Sequence, residues 1–292
     1  MGAVIGMNSA IYVGVDHSWR DTGAFEWALQ EANLRREPLR AIHVFDERLR
    51  PTSYWEPAVV DAQTTELIED VRRELKSRGG DLDVDADLTA GSPAKRLAEA
   101  GADGSMIVVG RRGMGTFQRL LVGSTSEALV HAATVPVVVV PADWKTQERT
   151  GPVVVAIGKA DEQHAAIEFA ATAAVERHIP LRMVHAWDLP NIYSSDAAVV
   201  ARIEDEWADG ARRVVNAAAD HWRRLYPDLA IETVAVRGHP VGRVVAAAEQ
   251  SHAPLLVVGG HRRHRMSPML LGSVARGVLH HASCPVAVVH DS

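Results

Sequence analysis

Three glycines and a serine in the stretch V-V-G-R-R-G-M-G-T-F-Q-R-L-L-V-G-S-T-S, residues 108–126, have the types and spacing to hold a phosphate. The stretch leaves an apolar run at 106–109, breaks at Gly110 and Gly113, and reaches Gly123-Ser124 where a helical pattern begins. Glycines let backbone N–H groups approach an anion closely. A helix starting at Ser124 adds unpaired N–H groups and the positive end of its dipole. The basic pair Arg111-Arg112 lies in the same loop and suits an anion. Thr125 and Ser126 are either extra donors or the first-turn residues of an ordinary helix. Asp16, just past an earlier apolar run, either accepts hydrogen bonds from a ligand or makes a strand-end turn.

Other chemistry lacks its parts. No G-x-S-x-G elbow, H-E-x-x-H pair or G-K-[ST] lysine is present, so activated-nucleophile, zinc-hydrolase and Walker mechanisms are not expected. No catalytic residue is assigned, although a slow, metal-assisted hydrolysis of a bound phosphate compound stays open. His261, His264, His280 and His281 invite a metal, but no acidic or thiolate partner stands at a convincing spacing, so no metal site is assigned. His43 and His185 recur at equivalent strand positions and read as a structural pair. The seven tryptophans are scattered and read as core and interface anchors.

The elements that must position these residues alternate. Apolar strands are expected at 10–15, 39–45, 83–89, 105–109 and 135–140. Helices are expected at about 22–36, 58–76, 93–100 and 124–133, the first stopped by Pro38 and the second by Gly79-Gly80. Such alternation means parallel strands joined by right-handed crossovers, with ligands outside the carboxyl ends of the strands. The pattern fades over residues 141–152 and then starts again. Residues 13–45 align without a gap on 155–187, bringing Pro38-Leu39-Arg40 onto Pro180-Leu181-Arg182 and His43 onto His185. Gly91-x-Pro93 matches Gly238-x-Pro240, Gly110 matches Gly259, and Gly123-Ser124 matches Gly272-Ser273. Two copies of one domain, 1–143 and 151–292, are therefore expected.

On these motifs the chain resembles the tandem-domain members of the universal stress protein family. The family's nucleotide-binding members carry G-x2-G-x9-G-[ST], matched here by Gly110, Gly113, Gly123 and Ser124. The resemblance implies an α/β fold of two tandem, doubly wound, open parallel five-stranded sheets, Rossmann-like, in strand order 3-2-1-4-5 with helices on both faces. It also implies an ATP site in the first copy, with Mg2+ on the phosphates. Asp16 would contact the nucleoside, Val15 and Val44 would wall the adenine, and Gly110, Arg111, Gly113, Gly123, Ser124 and Thr125 would surround the phosphates. In the second copy Gly158 replaces Asp16 and Arg262 replaces Gly113. A weakened or lost site is expected there, the alternative being an anion clamped by Arg262, Arg263 or Arg265.

Composition narrows the partners. The chain has 292 residues, 47% hydrophobic and 23% charged, with a net charge of -6, which argues against a general nucleic-acid binder. No apolar run reaches the roughly 18 residues of a membrane span, and residues 2–7 are too short for a signal-peptide core. The single cysteine, Cys284, reads as a buried thiol and fits a cytoplasmic location. The expected function is a nucleotide-dependent stress regulator acting on an unknown protein partner. An ATP-independent scaffold or chaperone-like protein and a weak ATP hydrolase are the alternatives. Pairing of the two last strands would make an internal pseudo-dimer, and a homodimer stays open.

Overall fold

A computed structural model describes residues 9–46, 57–111, 122–145, 149–158, 164–189, 197–260 and 271–291, with backbone only for 57–61 and 197–202. The chain divides into two compact units, Met1–Thr146 and Gln147–Ser292.

The first unit runs β1 (Ile11–Gly14), α1 (Ala24–Arg35), β2 (Leu39–Phe45), α2 (Pro57–Arg78), β3 (Val84–Ala90), α3 (Pro93–Ala100), β4 (Met106–Gly110), α4 (Ser124–Ala132), β5 (Val137–Val140). All its strand pairs are parallel, in the order β3-β2-β1-β4-β5. The second unit runs β6 (Val153–Ala156), α5 (His164–Glu176), β7 (Leu181–Trp187), α6 (Ala197–Leu225), β8 (Ile231–Arg237), α7 (Pro240–Gln250), β9 (Leu256–Gly260), α8 (Ser273–His281), β10 (Val286–His290). Its parallel order, β8-β7-β6-β9-β10, repeats the first. The chain moves one way from β1 to β3 and the other way from β3 to β5. Right-handed crossovers then place α1 and α2 on one face, and α3 and α4 on the other.

Strands covered on both faces need apolar residues at every position, which is why β5 reads Val-Val-Val-Val and β6 Val-Val-Val-Ala, all buried. The outer strand β3 is half-exposed, and its Asp85 and Asp87 keep that edge charged. Ile11, Leu39, Leu75, Met106, Ile107 and Leu129 are fully buried in the first unit, each contributing about 1.5–3 kcal/mol.

Two local devices repeat in both units. Pro38 does not itself stop α1: the chain leaves the helix at Arg36, left-handed at φ 54°, whose N–H donates to the Ala32 carbonyl. His178 at φ 53° makes the same left-handed turn after the corresponding helix of the second unit, its N–H donating to the Val175 carbonyl. Gly91 and Gly238, which follow β3 and β8, sit at φ 134° and 132°. Side chains avoid that conformation, so the glycine of each G-x-P is a backbone requirement. The last strand of the first unit begins at Val137, two residues later than its apolar run, because Pro136 has no N–H for the ladder; its carbonyl still accepts from Ile107.

Candidate functional site

The switch point of the first sheet lies between β1 and β4, which are neighbours in register Ile11↔Met106 and Val13↔Val108. Past β1 the ladder continues for one more residue, with Val15 N–H donating to the Ile42 carbonyl at 2.9 Å. Val15 is buried, and Asp16 is the half-buried residue that follows it. The Asp16 Oδ1 accepts from the Ser18 N–H at 2.9 Å and from the Ser18 hydroxyl at 2.6 Å, while its carbonyl accepts from Trp19. This turn orients the carboxylate at the mouth of the strand. Trp19 anchors the turn from below, edge-on to Phe25 at 4.6 Å, with the Arg20 guanidinium 4.1 Å over its ring.

His43 holds the strand end in place. Its Nδ1 carries the proton and donates to the Val15 carbonyl at 2.8 Å. Burial pushes the imidazole pKa down from its ordinary value, a fall opposed by the Val15 carbonyl; the nearby His17 ring lowers it further and Asp16 raises it. His17 meets His43 edge-on at 5.8 Å. The second copy repeats the link, His185 Nδ1 donating to the Ile157 carbonyl at 2.8 Å. The repeated histidine is thus a fastening between neighbouring strands, and it orients the residue beside Asp16. Its recurrence in both copies was the sequence signal.

Past β4 the loop is closed at its neck. Arg111 N–H donates to Val140 and Gly123 N–H donates to the Arg111 carbonyl, both at 2.7 Å. The Gly123 N-cap is extended, at φ -70° and ψ 148°, with no side-chain cap, so α4 begins with its first N–H groups directed out of the sheet. Ser124 is exposed and Thr125 half-buried. The buried Ser126 hydroxyl donates to the Gly110 carbonyl at 2.7 Å and ties α4 to the end of β4. Ser126 is therefore a strut between helix and strand. Val44 is half-buried near the end of β2. Gly113 and Arg262 fall outside the described residues.

The equivalent surface of the second unit is built differently. The ladder runs one residue further, to His290↔Gly260, in the place where the first copy has Pro141 and Arg111. The buried His290 ring fills the room a side chain at Gly260 would need: a Cβ there would lie 2.2 Å from His290 Nδ1. Gly158 puts no carboxylate at the position of Asp16, and Asp291 accepts from Ala165 N–H at 2.9 Å at the start of α5. An acidic group is present at this end of the sheet, but it caps a helix.

His280 and His281 lie in the last turn of α8 with ring centroids 6.5 Å apart. Among the described residues no three His, Cys, Asp or Glu side chains converge on a metal position. Among the same residues no helix is long and apolar enough to cross a membrane.

Comparisons with known proteins agree with this architecture. The sequence profile of the Universal stress protein family matches residues 7–141 and again 150–290. A universal stress protein of Mycolicibacterium smegmatis is 32% identical over 288 residues, covering 96% of each chain. One from Mycobacterium tuberculosis is 29% identical over 295 residues, covering 97% of each. The crystal structure of a universal stress protein from Archaeoglobus fulgidus superposes with a TM-score of 0.71 over 98% of this chain and 100% of that one; at 19% identity it speaks for the fold. The chain belongs to the universal stress protein family, with two family domains in tandem.

Proposed function

We propose that the first unit binds ATP at the β1/β4 switch point and that the chain acts as a nucleotide-dependent regulator in the cytoplasm. The observation that carries this reading is a juxtaposition. The oriented Asp16 carboxylate stands past β1, and the uncapped N-terminus of α4 stands past the neighbouring strand β4. The carboxylate suits ribose hydroxyls or base N–H groups, and the helix start suits phosphates. Val15 and Val44 supply apolar surface for the base, while Gly110, Arg111, Gly113, Gly123, Ser124 and Thr125 line the phosphate side. Mg2+ would arrive on the phosphates, because the described residues offer it no cage of carboxylates. The second unit, with His290 wedged under Gly260 and no counterpart of Asp16, serves as a partner domain of weaker or altered ligand affinity.

The test is denaturing release of small molecules from freshly purified protein, quantified by mass spectrometry, with Gly113→Arg as the comparison. About one adenine nucleotide per chain, lost in the variant, supports the reading. Two per chain would mean that the second unit also binds. No nucleotide, and no binding on adding ATP with Mg2+, would favour an ATP-independent scaffold.

A further inference from the structure

The second unit contains a cleft that the nucleotide reading does not use. It has a volume of about 370 Å3 and is lined by His185 and Trp187 of β7 and by Glu206, Trp207, Gly210, Ala211 and Val214 of α6. The lining follows from two periodicities. Residues 185 and 187 point to one face of a strand, and 206, 207, 210, 211 and 214 fall on one face of a helix. That sheet face is the one toward α6. Ala186, the counterpart of the adenine-side Val44, points to the opposite face, so this cleft is separate from the nucleotide position.

Three observations mark it as built for a ligand. The first is Gly210, inside the 29-residue helix α6, where glycine weakens the helix. Among the described residues no neighbour demands it: the nearest atom to an added Cβ is the far end of Arg213, at 3.9 Å. The first copy has Gln63 at the corresponding place, the same distance ahead of β3 as Gly210 is ahead of β8. The glycine therefore keeps space open inside the cleft. The second is the pair of indoles. Among the described residues neither Trp187 nor Trp207 stacks on another ring or carries a cation, and Trp207 is 40% exposed, so π surface is available. The third is charge. Among the described residues Glu206 has no ion-pair partner, whereas Glu204 and Asp188 are paired with Arg237 and Asp209 with Arg212. The His185 proton is committed to Ile157, leaving Nε2 as an acceptor.

Indole faces, a carboxylate with no ion-pair partner among the described residues and an imidazole acceptor complement a soft positive charge that needs little hydrogen bonding. We propose that this cleft binds a small alkylated ammonium ion, with the cationic head against Trp187 and Trp207 and Glu206 balancing its charge. The volume suits a compact molecule of choline's size class.

Choline is the probe, and its neutral carbon analogue, with a tert-butyl group in place of trimethylammonium, is the control. The readout is the indole N–H resonances of the full chain, whose seven tryptophans can be assigned by single Trp→Phe variants. Saturable shifts at Trp187 and Trp207 with choline, and none with the neutral analogue, are expected. Glu206→Gln, at an exposed position, should weaken binding about fivefold. Gly210→Ala should weaken binding while raising the unfolding temperature of the second unit, which separates loss of the cleft from loss of the fold. No saturable shift at millimolar choline, equal binding of the neutral analogue, or binding unchanged in both variants would overturn the proposal.

Discussion

At the scale of single residues, the candidate site is held by Ser18 and His43, which lie outside the proposed ligand-binding set. Asp16 is aimed by Ser18, and the carbonyl before it is held by His43. Asp16→Ala should weaken ATP binding by roughly tenfold or more, the worth of a hydrogen bond to a charged group, measured by calorimetric titration. His43 makes a separate prediction about acid. Its folded-state pKa is depressed below the ordinary 6.5, mainly by burial, so the unfolded chain takes up the proton first as pH falls. Stability is full above 6.5 and declines as pH drops toward the lower folded value. His43→Asn, which keeps a donor for the Val15 carbonyl but cannot titrate, should flatten that part of a pH series of urea midpoints. A series as steep in the variant as in the wild type would assign the acid sensitivity elsewhere. The sequence showed that histidine recurs but not what it holds, because its hydrogen-bond partner lies 28 positions away on another strand.

At the scale of elements, periodicity located nearly every strand and helix, since buried parallel strands and amphipathic helices advertise themselves as patterns. What escaped were features decided by one residue's backbone or one contact. The expectation that Pro38 stops α1 named the wrong residue, because the left-handed turn at Arg36 is chosen by the helix end itself and has no glycine to announce it. Ser126, read from the sequence as either an extra donor or a first-turn hydroxyl, donates to Gly110. The ion pair of Glu31 and Arg35 on α1, 2.7 Å long with side chains 3% and 7% exposed, was likewise hidden, as burial cannot be read from two charges one turn apart. Glu31→Ala removes one member of this buried pair and should cost about 3–5 kcal/mol in urea unfolding, against far less for an exposed pair such as Lys95 and Glu99. Gly91→Ala forces a side chain into a φ of 134° and should cost about 1–3 kcal/mol, and Gly238→Ala should behave alike.

At the scale of the whole molecule, the duplication was the most legible feature, because it needs only matching order and spacing. The divergence of the copies was legible in part: Gly158 and Arg262 announced a change, whereas His290 under Gly260 and Asp291 capping α5 arise only in the folded chain. Two compact units with different strand-end surfaces, read as the proposed function reads them, make a thermodynamic prediction. In a thermal scan, saturating ATP should raise the transition of the first unit, by about 2.7 kcal/mol at a hundredfold excess over Kd, and leave that of the second nearly unmoved. Scanning Asp16→Ala beside the wild type assigns the transitions.

The covalent join between the two units also fixes a ratio. Had the two versions of the domain been separate polypeptides, their relative amounts would drift with synthesis and turnover, and dilution would separate them. In one chain, each surface bearing Asp16 is accompanied by one bearing Gly158 at every concentration. Whatever the second unit contributes is thus supplied in constant proportion, and under the proposed function a signal set by nucleotide occupancy would depend on nucleotide supply without depending on the abundance of a second gene product.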